Sequence, residues 1–454
     1  MLRIGKEIAQ VAQEQPTAER LRGLKRIVSV AAVKAALKQT RQDRPCQRLP
    51  KPFMVWFVLG MGLFATDCYR QIFRWLQPFR PGATPGRSTL CEARQRLGVA
   101  PLAALFRRVV RLLAGPDTPE TSYRGMRLMA LDGFVVDLFD SDDNARVFGR
   151  PNGGRAPGAQ PQARVLALCE LGTHVLWRFL VKPLRVAEIA MARVVLRHLQ
   201  PNMLLLWDRG FLSYDNVRDV RGRKAHLLAR IKKNQVKFPL ETLADGSWLA
   251  KMHPCHQDRV KDRHGILVRV IEYTIDDPAR AKKKEKHRLL TTLLDALEHP
   301  AKDLIELYHQ RWEEELAIGE LKTRQQERPV LRSQTPGGVV QELHGMLLAH
   351  FVVRTLMFEA ASSKGLAPRR VSFTGALQIV RCRLAECPRG VAGQRRWYEA
   401  VVQEIAEEIL PPRRDRINPR VIKRKMSKWP KKRPHHRHNP QPTMPFREAL
   451  NTNC

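Results

Sequence analysis

The run Met203-Leu204-Leu205-Leu206-Trp207, closed by Asp208, constrains this chain more than any other segment of its length. A short, continuous apolar run is the pattern of a strand buried on both faces, as in a parallel sheet covered by helices; a strand with one wet face would alternate. Its neighbours agree. Met126 to Leu138 is rich in β-branched and long apolar residues and reads as a strand. Arg164 to Glu170 and His174 to Val181 read as two more, joined by a Leu171-Gly172-Thr173 turn, and Ala225 to Ile231 as a fifth. Glu188 to Leu199 and Asp215 to Arg223 have helical spacing. The order is β-β-β-α-β-α-β, an α/β fold.

With a long helix expected later in the chain, that order is the one of a ribonuclease H-like core. The flanks differ in character. Residues up to about 122 read as helical. Phe53 to Trp75 is a helix pair broken at Thr66-Asp67, and Ser88 is placed to cap a helix that Gly98 joins to a second, Leu102 to Leu113. That basic hairpin suits either a helix-turn-helix DNA module or an ordinary helical hairpin. After the fifth strand, Val236 to His287 reads as a β-rich insertion with a strand at Leu267 to Ile275 and a charge run at Arg280 to Lys286. The chain returns with Arg288 to Leu293 and enters one long helix from about Ala301 to Thr323. It then stays mostly helical to about Ala406, and Pro411 to His438 is a Pro-rich basic tail suited to phosphates. The expected units are a helical N-terminal DNA-binding domain at 1–122, the core in two parts at 123–235 and 288–370, the insertion at 236–287, and a helical C-terminal region with the tail at 371–454.

Charge narrows the partners. The 454 residues carry 80 Lys plus Arg against 44 Asp plus Glu, a formal net charge of +36. Such a charge repels itself unless a polyanion neutralises it, and nucleic acid gains further because each neutralised phosphate releases counterions. The eight cysteines are dispersed and form no CxxC pair. This argues against a structural zinc site, including at His253-Pro254-Cys255-His256, and fits a reducing cytosol. No signal peptide is visible, and the longest apolar stretch, Phe53 to Ala65, is too short to span a bilayer. A soluble intracellular protein is expected.

Two aspartates and a glutamate stand out chemically. Asp132 lies within the first strand, and Asp208 follows the buried run. On a helix turning about 100° per residue, Tyr308, Arg311, Glu315 and Lys322 share a stripe about 60° wide. Glu313 and Glu320 point more than about 100° away from it, and Glu314 lies about 90° from its centre. Glu315 is therefore the nearby carboxylate that faces with the stripe; a fortuitous charged face with an Arg311–Glu315 pair is the plainer reading. Asp132, Asp208 and Glu315 could share two Mg²⁺ ions, which want hard oxygen ligands and keep several waters. Such a metal pair activates an attacking oxygen and stabilises a leaving one at phosphorus. Asp137, Asp140, Asp142 and Asp143 compete as loop acids, and Asp215 as a helix cap.

The spacing Tyr308, Arg311, Glu315, Lys322 resembles the signature of DDE transposases of insertion sequence family 4. Further blocks resemble the same family: Arg48-Leu49-Pro50; Asp132-Gly133 with Asn144 and Phe148-Gly149; Asp208-Arg209-Gly210-Phe211; Leu331-Arg332-Ser333 with Thr335-Pro336 and Gln341-Glu342-Leu343; and Asn418-Pro419-Arg420. Phe134 departs from it, standing where a small hydroxyl residue is expected. The resemblance implies cut-and-paste transposition by strand cleavage, hairpin formation and strand transfer. It implies Asp132, Asp208 and Glu315 as catalytic metal ligands, with two Mg²⁺ ions that Mn²⁺ can replace. Arg209, Tyr308, Arg311, Trp312 and Lys322 become DNA contacts, Trp312 and Trp248 candidate stacking platforms. The partners implied are double-stranded DNA, as inverted-repeat ends and target, and a second copy of the chain in a synaptic complex in the bacterial cytoplasm, at the nucleoid. A ribonuclease H-like nuclease or resolvase that cuts without rejoining is the rival, and a DNA-binding protein without catalysis is the third reading.

Overall fold

The computed structural model describes residues 19–42, 49–76, 84–152, 158–231, 238–274, 286–388 and 390–411. Arg48, the basic tail beyond Pro411 and most of the Arg280 to Lys286 run lie outside these. The strands are β1 (Ser122–Tyr123), β2 (Met126–Leu138), β3 (Gln162–Glu170), β4 (Val175–Pro183), β5 (Met203–Trp207), β6 (His226–Arg230), β7 (Glu241–Thr242), β8 (Trp248–Met252), β9 (Ile266–Thr274), β10 (Lys286–Thr291) and β11 (Val330–Leu331). The helices before the sheet are α1 (Val30–Gln39), α2 (Lys51–Leu63), α3 (Tyr69–Leu76), α4 (Arg87–Leu97) and α5 (Ala100–Val109). Within it come α6 (Asp142–Phe148), α7 (Glu188–Val195), α8 (Tyr214–Gly222) and α9 (His256–Val260). After it come α10 (Ala301–His309), α11 (Trp312–Gly319), α12 (Pro336–Ser363), α13 (Phe373–Arg383) and α14 (Val391–Ile405).

Among the described residues all strands join one sheet, in the order β4-β3-β2-β5-β6-β10-β9-β8-β7, with β1 and β11 also paired to β2. β2, β3 and β4 form an antiparallel meander, and β5 and β6 run parallel to β2. This is the strand order of a ribonuclease H-like core, with all five residues of β5 buried as the apolar run requires. The strands of the expected insertion extend this sheet. β10 pairs with β6, and β9, β8 and β7 extend the same sheet outward.

β5 covers β2 from Arg127 to Leu131, and β11 covers it again at Asp137 and Leu138. Between them, the same edge of β2 lies open from Asp132 to Val136, and an unpaired carbonyl there needs another donor.

The helices from both ends of the chain pack over α12. α2 is buried throughout most of its length and crosses α12 where two glycines meet: a Cβ on Gly62 would strike the Gly345 carbonyl, and one on Gly345 would strike that of Val58. Gln325 uses the crossing, its amide donating to Gly62 O (3.0 Å) and Met346 O (2.7 Å). The N-terminal segment Glu19–Arg26 rests against α14, with Trp397 filling the space beside Gly23.

Three local expectations change. Gly86, not Ser88, occupies the N-cap of α4. Ser213 caps α8 by accepting from Asn216 N, and Asp215 instead pairs with Arg193. The expected helix from 301 to 323 is broken into α10, α11 and a π-helical turn, Glu320–Gln325. Three-residue backbone bonds, such as Arg311 N to Tyr308 O (3.1 Å) and Glu313 N to Gln310 O (3.0 Å), tighten the chain across the break. In the expected DNA-reading hairpin, Arg94 is buried and bonds Tyr69, Ser333 Oγ (3.1 Å) and Gly338 O (2.9 Å), so this part of α4 faces inward. Among the described residues no helix is long and apolar enough to cross a membrane.

The crossing yields a stability prediction. Gly345→Ala should lower stability by about 1–3 kcal/mol through overpacking. Gly337→Ala, on the same helix with nothing near its Cβ, should not destabilise. Urea midpoints of the two variants check this; equal midpoints would show that the crossing relaxes freely.

Candidate active site

Leu131 of β2 pairs with Trp207 of β5. The residue after each is an aspartate: Asp132 continues β2, and Asp208 caps the short turn that follows β5. Each carboxylate is held the same way. Gly133 N donates to Asp132 Oδ1 (2.8 Å), and Arg209 N donates to Asp208 Oδ1 (2.7 Å). Among the described residues, Oδ2 of each accepts no hydrogen bond. Two hard oxygens are thus presented together from rigid backbone, which suits a divalent cation.

The broken helix brings the signature residues in by different routes. Buried Tyr308 donates to Trp207 O (3.2 Å), fastening the last carbonyl before Asp208. Lys322, on the π-helical turn, donates to Val135 O (2.7 Å) in the open edge of β2, with its ammonium 5.8 Å from the Phe134 ring centre. Phe134, the departure from the family pattern, therefore packs beneath that ammonium. Arg311 bonds Glu315 Oε1 (3.2 Å), while Glu315 stays 41% exposed. The residues expected on one stripe are brought to one site, but two of them are bound to backbone carbonyls.

The electrostatics show what this costs. Burial pushes the Asp132 carboxyl up to about 6; Gly133 N–H and Arg311 oppose this, while Glu188 and Glu315 add to it. Burial works against the Arg311 charge, yet Tyr308, Glu315, Asp208 and Asp132 outweigh it and raise its pKa. Burial raises Tyr308 to about 12. Burial lowers the Lys322 ammonium, and Asp137 partly restores it. Glu314, which sequence reasoning set aside, is fully buried beside Asp132, and neither carboxyl oxygen makes a hydrogen bond of good geometry. Burial, with the Asp132 charge next, pushes its pKa well above the ordinary carboxylate value, against the pull of Arg311 and the nearby Asp132 backbone. No signal in the chain marks it, because its neighbours Glu313 and Glu315 look alike.

Arg311 lies within electrostatic reach of Asp132, Asp208 and Glu315. Among the described residues no three His, Cys, Asp or Glu side chains are gathered to hold a metal. Like charges repel when brought together, and Arg311 takes Glu315 instead. Of the competing acids, Asp140 pairs with Arg150 (2.5 Å), Asp142 and Asp143 start α6, and Asp137 accepts from Gln162 (2.7 Å) near Lys322. Arg209 is exposed beside Asp208. Trp312 is 38% exposed, with Arg311 5.4 Å from its ring centre. Trp248 is half-buried against the main apolar core on β8, four strand spacings or about 19 Å from β5.

This strand order, with one aspartate in β2 and another just after β5, is that of ribonuclease H-like enzymes that act on nucleic-acid phosphodiesters. Residues 123–352 match the family described as Transposase DDE domain, and residues 18–107 match Insertion element 4 transposase N-terminal. The chain is 30% identical over 394 residues to the Transposase InsG for insertion sequence element IS4 of Escherichia coli (strain K12), covering 85% of this chain and 87% of that one. It is 28% identical over 191 residues to the Putative transposase InsZ of the same organism, covering 41% of this chain and 64% of that one. A solved piggyBac transposase synaptic complex with hairpin DNA aligns with a TM-score of 0.45 and 12% identity, covering 88% and 87% of the two chains. The chain belongs to the IS4 family of DDE transposases. It is a DNA-cleaving and strand-transferring enzyme of a class that works with divalent metal ions on DNA.

The raised Asp132 pKa has a thermodynamic consequence in chelator. The folded pKa lies above the unfolded one, so the folded state binds more protons between about pH 4 and 6 and loses stability as pH rises through that window. Above pH 6 the full penalty applies, on the order of 2–3 kcal/mol. Asp132→Asn should therefore unfold at higher denaturant than wild type at pH 7.5, with the gain vanishing toward pH 4. A gain that is constant with pH would show that the charge of Asp132 is not the cause.

Proposed function

We propose that Asp132, Asp208 and Glu315 together hold two Mg²⁺ ions, which Mn²⁺ can replace, for cut-and-paste transposition of an insertion sequence. The pairing of Leu131 with Trp207 supports this reading, because the residue after each is an aspartate with an open oxygen. Three carboxylate side chains supply the hard oxygen donors such ions prefer. When bound, the ions activate the attacking oxygen and stabilise the leaving one in an in-line displacement.

The chain's own groups divide the remaining work. Arg311 can turn from Glu315 to a phosphate and grip it bidentately, a role suited to the planar guanidinium. Arg209 lies beside Asp208 and can take the backbone of the other strand. Trp312, exposed on the first turn of α11, offers a face to a base leaving the stack when the duplex end bends into a hairpin. Tyr308 and Lys322, bound to Trp207 O and Val135 O, position the strands that carry the aspartates. Water nicks one strand, the freed 3′-OH attacks the other to form a hairpin, a second hydrolysis opens it, and the 3′-OH joins target DNA. One site can serve all four steps because each is the same phosphoryl transfer with a different nucleophile. The DNA partners are the inverted-repeat ends of the element and a target duplex, held by two copies of the chain.

The test uses a plasmid carrying the gene with its flanking DNA. Asp132→Asn, Asp208→Asn and Glu315→Gln should each abolish nicking and leave duplex binding intact. Persistent nicking in Mg²⁺ would remove that residue from the set, and nicked product without joined product in wild type would favour a nuclease. Arg311→Ala should lose hairpin product by about 10- to 150-fold, more than nicked product, since a bond to a charged group is worth roughly 1.5–3 kcal/mol. Lys322→Ala should lower both products together. A parallel fall for Arg311→Ala would limit that residue to DNA binding.

A further inference from the structure

The turn between β3 and β4 ends on His174, which adopts a left-handed backbone with φ of 57°. Non-glycine residues rarely sit there, and persist when their surroundings determine them strongly. The surroundings do so here. Glu170, fully buried, accepts from Leu113 N (2.9 Å) and Ala114 N (3.3 Å) and takes the Thr173 hydroxyl and Arg127. Gly172 lies so close to Thr121 that a Cβ would not fit. The turn is a rigid mount, and the side chain it presents is 2% exposed.

The His174 ring joins two parts of the broken helix. Nε2 lies 2.9 Å from Glu313 Oε2, and Nδ1 lies 2.9 Å from Glu320 Oε1. Arg354 and His350 of α12 complete the cluster: Arg354 Nε donates to Glu320 Oε2 (2.9 Å), Arg354 Nη2 lies 2.5 Å from His174 Nδ1, and His350 Nε2 lies 3.2 Å from Glu320 Oε2. Arg369 stands 3.8 Å from Glu313. Burial alone would raise the Glu320 pKa, but Arg354 and His174 hold it well below the ordinary carboxylate value. Neither the nicking chemistry nor the DNA contacts use this cluster.

Helix geometry gives it a purpose. Glu313 and Glu315 differ by two residues, about 200° of rotation. Pinning Glu313 on one side of α11 therefore turns Glu315 to the other side, where it pairs with Arg311 and lies within electrostatic reach of Asp132. Glu320, held by the same ring, starts the π-helical turn that sends Lys322 to Val135. Removing the ring would take away the restraint that joins Glu313 to Glu320 while leaving each candidate metal ligand in the chain. We propose that His174 is a positioning residue that sets the rotation of α11 by holding Glu313 and Glu320, and so aims Glu315 at the two strand aspartates. The inference rests on the reading of Glu315 as a metal ligand.

The full chain, without DNA, is titrated with Mn²⁺ and the free ion is counted by electron paramagnetic resonance; binding of a fluorescent duplex is measured in parallel. Asp132→Asn sets the loss expected when a ligand is removed. His174→Ala should weaken Mn²⁺ binding by about 10- to 100-fold, the range found when a group orienting a metal ligand is lost. Its duplex binding should stay at the wild-type level. His174→Gln keeps one donor for Glu313 and should fall between wild type and His174→Ala; if the alanine variant does not fold, a measurable loss in the glutamine variant decides. Wild-type Mn²⁺ affinity in the His174 variants, beside a loss in Asp132→Asn, overturns the clamp and leaves the metal reading standing. Equal affinity in every variant, Asp132→Asn included, removes the metal reading and the clamp with it. A joint loss of Mn²⁺ and duplex binding marks a general structural role and also overturns the proposal.

Discussion

The parallel pairing of β5 against β2 is the constraint on which the site depends. A parallel pair needs both of its faces covered, so β5 must be apolar along its whole length and can carry a charge only where it stops. It stops at Trp207, and the next residue is Asp208. Because Leu131 lies opposite Trp207, a shift of register by one residue would send Asp132 to the other face and away from its partner. The same ending of β5 opens the edge of β2, and the unpaired carbonyl of Val135 then draws Lys322. Tyr308 secures the other strand at Trp207 O. The two ends of the signature are therefore bound to the two strands that carry the aspartates.

Such a site is costly to build. Asp132 and Glu314 are carboxyls pushed toward neutrality by burial, and Arg311 is the local countercharge for Asp132, Asp208 and Glu315. The strain is carried by packing elsewhere. The α2–α12 crossing at Gly62 and Gly345 supplies a rigid helical layer, and Gln325 ties the π-helical turn into it. The Glu320 cluster ties the same turn to α12. A buried ionic cluster contributes little net stability against an apolar alternative, and its better-attested use is to hold one specific arrangement. Here that arrangement is the orientation of α11.

Much of the fold was legible because it rests on local pattern. Met126–Leu138 and Met203–Trp207 form strands with the expected boundaries, since continuous apolar and β-branched runs leave little choice. The placement of Asp132 and Asp208 follows from those strands. The break in the 301–323 helix was not legible. No proline marks it; side chains far apart in sequence, His174 and Arg354 among them, bind the part beyond it. His174 itself reads as a strand residue, because a left-handed turn residue other than glycine leaves no local mark. The continuation of the sheet through β10 to β7 was hidden for a similar reason: strand content is local, but the choice of partner is not. The caps at Ser88 and Asp215 went to Gly86 and Ser213, candidates two residues earlier that local pattern does not rank.

The central claim is that one divalent-metal site lies where β2, β5 and α11 meet. Fe²⁺ can occupy such oxygen sites, and with ascorbate and peroxide it generates hydroxyl radicals that cut the nearest backbone. Mapping the cuts in the full chain by mass spectrometry locates the metal without reference to activity. Cleavage confined to the neighbourhoods of residues 132, 208 and 315, and suppressed by excess Mg²⁺, is the predicted result. Cuts spread over the surface, or gathered at acids such as Asp140 and Asp215, would contradict the account.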